Sequence, residues 1–419
     1  MAIWGCIADD FTGASDAASF LRKGGMKVRL FNGVPKKIQN CETDNAWVIA
    51  LKTRTEERAQ AVRHILEAFD FLRENRIGHI YIKYCSTFDS TREGNIGPGV
   101  DSVMEKMKQK YTILCLALPV NGRTVKDGIL YVNQVPLAQS PMKDHSLTPM
   151  WDSRIVCLME SQSKYSCMIL SKDDMEQGKT EEKIEAFGKN KEHFYVIPDF
   201  EEMSDAKRLT ELFGRLPLLT GGSGLLEELA VMWMAESNPK PIVVSPQIKG
   251  KALLLAGSCS TMTRRQIQDY QKHGGICLKV NPVSLYKKEM TVEDIWNEIQ
   301  NMGDSDVLVY TSDTPKAVAV CQSYGQEEIA GMIEGMFASL AKKAVQNGYK
   351  RIITAGGETS GAVTKALGFN DFYIGESIAP GVPIMVPAPC PDLKLVLKSG
   401  NFGQEDFFRK ALEQTGEGL

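Results

Sequence analysis

The chain has 419 residues, of which 43% are hydrophobic and 24% charged, and its net charge at pH 7 is −3. This length predicts two globular domains, and the small net charge argues against nucleic acid or a membrane surface as a partner. No apolar run approaches the roughly 18 residues of a membrane span, and the early acids at residues 9 and 10 lead us to expect no signal peptide. The ten cysteines form no CxxC pair, so we expect a cytoplasmic protein with reduced cysteines and no zinc site.

The first half of the chain alternates short apolar runs with amphipathic stretches. The predicted strands are residues 3–8, 27–31, 46–51, 79–84, 112–118, 166–170 and 193–197. Residues 56–73 and 99–108 predict helices between them, and a hairpin is expected around residues 128–133. This alternation is typical of a mostly parallel sheet with helices on both faces.

A proline-rich stretch, residues 236–249, divides the chain and is the best candidate for a linker. Beyond it the predicted strands are residues 252–256, 276–280, 307–310, 351–354, 383–386 and 395–398, and the longest helix is 327–347. The predicted fold class is therefore α/β in both domains, each with a mostly parallel sheet covered by helices. The predicted domain bounds are 1–240 and 250–419.

The first strand runs directly into two adjacent acids, Asp9 and Asp10, with Gly13 and a predicted helix behind them. Adjacent carboxylates repel each other and are costly to bury without a partner. In open α/β sheets, ligands bind at the carboxyl ends of the strands. The segment therefore predicts a site for a polyhydroxy substrate, a metal ion or a proton transfer. A solvated loop is the alternative that this segment alone leaves open.

Further polar side chains follow other predicted strands of the first half. The candidate residues are Arg54, Lys83, Asp89, Ser90, Arg92, Asn95 and Arg123. Arginine pairs with a planar carboxylate through two parallel hydrogen bonds, whereas acids and amides suit hydroxyl groups. A surface ion pair is the alternative for any single arginine. Their common placement at strand ends predicts a pocket for a small hydroxylated acid.

Three loops of the second half combine glycines with hydroxyl groups after predicted strands. Their candidate residues are Ser258, Gly356, Gly357, Glu358, Thr359, Ser360, Gly400 and Gly403. Glycines allow close approach of a ligand to the backbone, and free N–H groups at a helix start bind phosphate. Simple capping of the helix by Thr359 or Ser360 is the alternative. Three such loops in one α/β domain predict a nucleotide site.

Two other glycine motifs are interpreted as ordinary turns. Residues 178–180 end like a phosphate-binding P-loop, but Asp173 stands where the first glycine is required. Residues 222–224 resemble part of a dinucleotide fingerprint, but Glu227 stands in place of its last glycine.

Taken together, these loops resemble a known family. Segments 7–13, 356–361 and 398–403 are similar to the signatures of the four-carbon acid sugar kinases, in the family's order, and the resemblance runs from residue 3 to residue 408. It implies that domain 1–240 binds a sugar acid, that domain 250–419 binds ATP, and that the active site lies in the cleft between them. The glycine and hydroxyl loops of the second half would then lie near the nucleotide.

A finer resemblance concerns the subgroup. Segments 84–91, 94–98, 117–125 and 147–150 are similar to the 3-oxo-tetronate kinases, whereas threonate and erythronate kinases usually carry a Lys-Thr-Asp-Ser-Thr type of loop, from which Cys85 and Phe88 depart. The resemblance implies ATP-dependent phosphorylation of the 4-hydroxyl of 3-oxo-tetronate. D-threonate and D-erythronate are the alternative substrates.

The mechanism expected of such a kinase gives the candidate residues their roles. Asp9 or Asp10 would be the general base, and the sequence does not separate the two. Arg54, Arg92 and Arg123 are candidates for the substrate carboxylate, Asp89, Ser90 and Asn95 for its hydroxyl groups, and the glycine loops with Mg²⁺ for the phosphates. A non-catalytic sugar-acid sensor and a nicotinamide-dependent dehydrogenase are rivals from other classes, and a homodimer is left open.

Overall fold

The computed structural model describes residues 4–38, 43–145, 148–237, 247–314, 318, 320–321 and 323–416. The chain divides into two compact units, Met1–Ile242 and Val243–Leu419. The predicted linker falls mostly on residues 238–246, which lie outside the described residues. The linker and the domain bounds at 240 and 250 therefore stay predictions.

The first unit alternates strands and helices along the chain. Its strands are β1 (Trp4–Ala8), β2 (Val28–Asn32), β3 (Ala46–Ala50), β4 (His79–Lys83), β5 (Tyr111–Cys115), β6 (Arg123–Lys126), β7 (Ile129–Val132), β8 (Val135–Pro136), β9 (Cys167–Leu170), β10 (Phe194–Pro198) and β11 (Leu218–Gly221). Its helices are α1 (Phe11–Lys23), α2 (Arg58–Glu74), α3 (Ile96–Met107), α4 (Ile155–Glu160), α5 (Lys172–Glu176), α6 (Thr180–Gly188), α7 (Asp205–Phe213) and α8 (Leu226–Ser237).

The main sheet of this unit is parallel, with the strand order β2-β3-β1-β4-β11-β5-β10-β9. Every residue of β1, β3 and β10 is buried. Because successive side chains of a strand point to opposite faces, the sheet is covered on both sides, as the apolar runs predict. Strand β1 lies between β3 and β4, so the loops that follow these three strands meet at one edge.

A small antiparallel sheet interrupts the parallel pattern. Strands β6, β7 and β8 pair in that order, and Asp127 and Gly128 turn between the first two with φ values of 50° and 72°. Left-handed φ at both central positions is the requirement of a type I′ hairpin turn. The predicted hairpin is confirmed, with a short third strand added.

The second unit is also α/β. Its strands are β12 (Ala252–Ala256), β13 (Ile276–Lys279), β14 (Val307–Tyr310), β15 (Arg351–Ala355), β16 (Asp371–Ala379), β17 (Val382–Pro387) and β18 (Lys394–Lys398). Its helices are α9 (Thr261–Lys272), α10 (Pro282–Tyr286), α11 (Val292–Asn301), α12 (Gln326–Gln346), α13 (Gly357–Leu367) and α14 (Phe407–Thr415). The strand order is β13-β14-β12-β15-β18-β17-β16.

The pairs from β13 to β18 are parallel, whereas β16 and β17 add an antiparallel hairpin that the sequence analysis missed in part. Only the second strand of this hairpin was predicted. Strand β16 shifts register twice between Ile374 and Ala379, and such bulges destroy the period of two on which a strand prediction rests. Strands β12, β15 and β18 are neighbours, so the three glycine-rich loops that follow them lie together.

Candidate active site

A pocket opens in the first unit at the carboxyl ends of β1 and β4. It encloses about 400 Å³ that is partly open to solvent. Its polar lining includes Asp9, Arg54, Lys83, Asp89, Ser90 and Asn95. These are six of the residues that the sequence analysis selected, and they lie at or after the ends of three strands, β1, β3 and β4. The topology thus brings together an acid, two cations and several groups that can bind hydroxyls.

The acid pair is held by one guanidinium group. Arg54 Nε and Nη2 donate to Asp9 Oδ2 and Oδ1, both at 2.9 Å, and Arg54 Nη1 lies 3.0 Å from Asp10 Oδ2. This fork geometry is the strongest that arginine and a carboxylate form. Arg54 therefore neutralises the repulsion between the two acids. Its predicted contact with the substrate carboxylate stays a prediction.

Burial and charge act against each other at this pair. Burial raises the pKa of Asp9, and the charges of Arg54 and Lys83 offset part of that rise. Burial alone would lower the pKa of Arg54, but Asp9 and Asp10 raise it above its usual value. An arginine that stays charged beside a carboxylate with a raised pKa is a suitable setting for proton transfer near neutral pH.

Asp10 also has a structural role at the start of α1. It is the N-cap of this helix, and its Oδ1 accepts a hydrogen bond of 2.6 Å from the N–H of Gly13. A Cβ atom at Gly13 would lie 2.6 Å from that same oxygen and 3.4 Å from Lys83 Nζ. Only glycine lets the helix begin this close to the charged groups. Asp10 does not line the pocket, whereas Asp9 does.

A buried carboxylate lies beneath Lys83. Asp16, on the second turn of α1, has Oδ2 at 3.9 Å from Lys83 Nζ, and Ser223 Oγ donates to the same oxygen. Asp16 Oδ1 is buried and has no hydrogen-bond partner among the described residues, and burial raises the pKa of this carboxyl. The sequence analysis does not select Asp16 and interprets residues 222–224 as an ordinary turn, so it misses this contact.

The loop after β4 contributes the hydroxyl-binding candidates, and neighbouring residues hold each of them. Asp89 Oδ1 accepts from Thr87 Oγ1 at 2.5 Å, and Ser90 Oγ accepts from Gln162 Nε2 at 3.0 Å. Asn95 Nδ2 donates to the carbonyl oxygens of Thr53 and Glu56, at 2.7 and 2.8 Å. Asn95 therefore fixes the loop that carries Arg54. In the described part of the chain no group donates to its side-chain oxygen, which could therefore accept from a ligand.

Arg92 and Arg123 do not line the pocket. The exposed Arg92 guanidinium lies 3.7 Å from the ring centre of Trp151, in a cation–π contact. Arg123 begins β6 and donates to the carbonyl oxygen of Asn121. Their predicted contact with a substrate carboxylate stays a prediction.

The candidate phosphate site of the second unit lies at the start of α13. Gly356 is the N-cap residue, with a φ of 135° that glycine alone adopts readily, and no side chain caps the helix. Gly357 and Glu358 are exposed in its first turn. Thr359 is buried, and the Ser360 hydroxyl lies 2.7 Å from that of Thr354. An uncapped helix start with open glycines is the arrangement that anion binding needs.

The three glycine-rich loops converge at this helix start. A Cβ at Gly356 would lie 3.1 Å from the backbone nitrogen of Ser258, and a Cβ at Gly400 would lie 2.6 Å from the Ser258 hydroxyl oxygen. Gly403, with a φ of 77°, ends the third loop where a Cβ would meet the ring of Phe407 at 2.8 Å. A Cβ at any of these three positions would come within 3.1 Å of a neighbouring residue, so glycine lets the loops pack this closely around the start of α13. We call these three converging loops the cradle; a Cβ at Gly357 would meet nothing within 4 Å, so the backbone there is open to a phosphate chain.

Comparison with known proteins matches both units. A model of a sugar-binding N-terminal domain matches residues 4–229, and a model of a nucleotide-binding C-terminal domain matches residues 253–408. The 3-oxo-tetronate kinase of Actinobacillus succinogenes is 40% identical over 97% of this chain and 98% of its own length. That of Haemophilus influenzae is 39% identical over 97% and 98%.

The chain belongs to the four-carbon acid sugar kinase family. The family resemblance predicted from the sequence is thereby confirmed, and so is the expectation of a kinase that uses a small-molecule substrate and ATP. Within the described ranges, no helix of this kinase is both long and apolar enough to cross a membrane.

Solved structures share the fold of this kinase. A crystal structure from Salmonella typhimurium LT2, described as a tRNA synthase, has a TM-score of 0.90 and 36% identity, and the match covers 98% of this chain and 99% of the other. A Haemophilus influenzae protein has a TM-score of 0.85 and 38% identity, over 97% and 98%. Both support the two-unit α/β fold. Their names do not describe a sugar kinase, so they support the fold alone.

Proposed function

We propose that this kinase transfers the γ-phosphoryl group of ATP to the terminal hydroxyl of 3-oxo-tetronate and so forms the 4-phosphate. The observation that carries the proposal is the identity of about 40% to 3-oxo-tetronate kinases over nearly the whole chain. The acid pocket of the first unit and the glycine cradle of the second are the two half-sites that such a reaction requires. The location of the active site in a cleft between the domains and a cytoplasmic location of the protein stay predictions. Whether the protein forms a homodimer stays open.

Asp9 is the better candidate for the general base. It lines the pocket, whereas Asp10 caps α1 and faces Arg54. A raised pKa improves a carboxylate as a proton acceptor, provided that it stays ionised at the working pH. In this proposal Asp9 accepts the proton of the terminal hydroxyl while Arg54 holds its carboxylate in place. Asp10 supports the same arginine and the start of the helix.

The remaining pocket residues bind and orient the sugar acid. Lys83 Nζ is the cation of the pocket that no carboxylate contacts within 3.5 Å among the described residues, so it is our candidate for the substrate carboxylate. Asp89, Ser90 and the free oxygen of Asn95 would accept or donate hydrogen bonds to hydroxyl groups. Phosphoryl transfer depends mainly on positioning and on stabilising charge, and these residues supply the positioning.

The cradle fits a nucleotide triphosphate, because it combines an uncapped helix start at Gly356, an open backbone at Gly357 and glycines that let the neighbouring loops approach closely. Bound Mg²⁺ would neutralise charge on the phosphates. Across the described residues, no group of three or more His, Cys, Asp or Glu side chains could hold a metal. We expect a magnesium ion held mostly by phosphates and water, with the exposed Glu358 in the first turn of α13 as a candidate carboxylate.

The test is ADP release with 3-oxo-tetronate, D-threonate and D-erythronate, for the wild type, Asp9→Asn and Asp10→Asn. We expect 3-oxo-tetronate to give the highest kcat/KM. Asp9→Asn should lower kcat by about 10²–10⁴-fold with an unchanged Kd for ATP, and Asp10→Asn should have the smaller effect. Preference for either hydroxy acid would reassign the substrate, and sugar-acid binding without ADP release would favour the sensor.

A further inference from the structure

Lys398 is a fully buried lysine at the end of β18, directly before the third glycine-rich loop. Its Nζ donates to the carbonyl oxygens of Gly400 and Ser399, at 2.9 and 3.2 Å, and to Thr263 Oγ1 at 3.2 Å. Among the described residues, no carboxylate forms an ion pair with it. Fully buried lysines without an acidic partner are rare, because burying a charge is costly. A stabilising role in the core does not account for such a group.

The contacts of Lys398 determine which way the loop presents its backbone. Peptide bonds are planar, and no cis bond occurs in the described part of the chain, so the C=O and N–H of one peptide unit point in opposite directions. The carbonyls of Ser399 and Gly400 point inward at the ammonium group. The N–H groups of the same two peptide units, which belong to Gly400 and Asn401, therefore point away from it.

The main chain of Lys398 also holds the loop between β15 and α13, which is the second of the three glycine-rich loops in chain order. Its carbonyl oxygen accepts from the N–H of Gly356 at 2.8 Å and from Ser360 Oγ at 3.3 Å. One residue thus fixes the loop that starts α13 through its backbone and the loop after β18 through its side chain. Gly400 is further held against the first loop, because Ser260 Oγ donates to its carbonyl oxygen at 2.8 Å.

We propose that Lys398 is a positioning residue of the nucleotide site: its ammonium group turns the carbonyls of residues 399–400 inward so that the N–H groups of Gly400 and Asn401 face the phosphates of ATP. Consecutive N–H groups on one side of a loop form a nest that binds anions, and the buried positive charge strengthens it. This inference rests on the proposed use of ATP at the cradle. Lys398 itself does not touch the nucleotide.

The charge of Lys398 is sensitive to pH near neutrality. Burial lowers the pKa of Lys398 to about 7. Helix α9 presents Thr263 to the ammonium group, and α14 presents the ring of Phe407 at 5.5 Å; neither side chain carries a charge. As the pH rises through this pKa, the ammonium loses its proton and the nest loses its cation. The contribution of Lys398 to ATP binding therefore decreases as the pH rises.

Calorimetric titration of ATP, without sugar acid, tests the proposal on the wild type, Lys398→Met, Lys398→Arg and Lys394→Met. Lys394 is the matched control, since it is a buried lysine at the opposite end of the same strand. We expect Lys398→Met to weaken ATP binding about tenfold or more, on the scale of a hydrogen bond to a charged group. Lys394→Met should leave the Kd unchanged. Lys398→Arg should retain most of the affinity.

The pH profile separates positioning by charge from a structural role. Arginine does not lose its proton, and the ionisation of ATP is common to both proteins, so the ratio of the wild-type Kd to that of Lys398→Arg should increase between pH 6 and pH 8.5. Equal ATP affinity of Lys398→Met and the wild type, or a ratio independent of pH, overturns the proposal. Failure of the wild type itself to bind ATP would instead refute the proposed function.

Discussion

Replacing Arg54 by methionine tests whether this arginine serves the acid pair or the substrate. Its three donor contacts within 3.0 Å all go to Asp9 and Asp10. Methionine keeps an unbranched apolar side chain but removes the charge and the fork. If Arg54 holds the base, the substitution should change the pH at which the enzyme becomes active. If it binds the substrate carboxylate, it should change the KM for the sugar acid.

The size of the change follows from the geometry. The side chains of Arg54 and Asp9 are 24% and 14% exposed, so water screens the pair only in part. Two unit charges about 4 Å apart interact by about 4 kcal/mol at an effective dielectric constant of about 20. Losing this energy removes an interaction that favours the ionised form of Asp9, so the pKa of Asp9 should increase in the variant. A base must be ionised, so the acid limb of the rate profile should move to higher pH.

The assay is kcat/KM for the sugar acid as a function of pH, at saturating ATP. We expect the acid limb of Arg54→Met to lie at clearly higher pH than that of the wild type, because the substitution removes about 4 kcal/mol that favours ionised Asp9. Asp10→Asn is the opposing control, because the charge of Asp10 raises the pKa of Asp9, so this variant should move the limb to lower pH. An unmoved acid limb in Arg54→Met, together with a KM for the sugar acid at least tenfold higher, would refute this role and support the carboxylate contact.

Two further predictions concern the cradle and the buried acid. Gly400→Ala should weaken ATP binding about tenfold without changing the affinity for the sugar acid, because its Cβ would lie 2.6 Å from Ser258 Oγ. Gly361→Ala is the control and should leave both affinities unchanged, since nothing lies within 4 Å of its Cβ. Equal effects of the two substitutions on ATP binding would contradict the proposed phosphate site. For Asp16, burial raises the folded-state pKa, so its stabilising contribution is complete below the unfolded pKa and is lost as the pH rises through the folded one. The melting temperature of Asp16→Asn relative to the wild type should therefore be higher at pH 8 than at pH 4, and an equal difference at both pH values would contradict the raised pKa.

The sequence predicts the parts of this fold that depend on local pattern. Near-continuous apolar runs mark the parallel strands, because both faces of such a sheet are covered. Polar residues after those runs predict which loops meet, since parallel strands end at one edge. Strand β16 is not predicted, because its bulges interrupt the alternation of buried and exposed side chains on which a strand prediction depends.

The partners of the candidate residues depend on tertiary distance, which local pattern does not contain. Arg54 lies 45 residues from Asp9 and yet binds it with both ends of its fork. Ser223 lies 207 residues from Asp16, and nothing in a Gly-Ser-Gly turn distinguishes a hydroxyl that meets a buried acid from one that faces water. The sequence therefore predicts several residues that line the pocket but also selects Arg92 and Arg123, which do not, and the structure shows which of the charged residues neutralise one another.

At each of the two half-sites, a charged side chain is neutralised or held by neighbouring residues of the protein. In the acid pocket, Arg54 is paired with both acids, and the cation left for a ligand is Lys83, which has a buried carboxylate 3.9 Å behind it. In the cradle, the buried ammonium group of Lys398 binds the carbonyls of Ser399 and Gly400. In our proposal, the N–H groups of the same loop, and not Lys398 itself, then face the phosphates. In both sites a buried partner holds a charged group in place: Asp16 lies next to Lys83, and backbone carbonyls bind Lys398. Since a group fixed in this way need not reorganise during the reaction, such preorganised charge is what phosphoryl transfer rewards most.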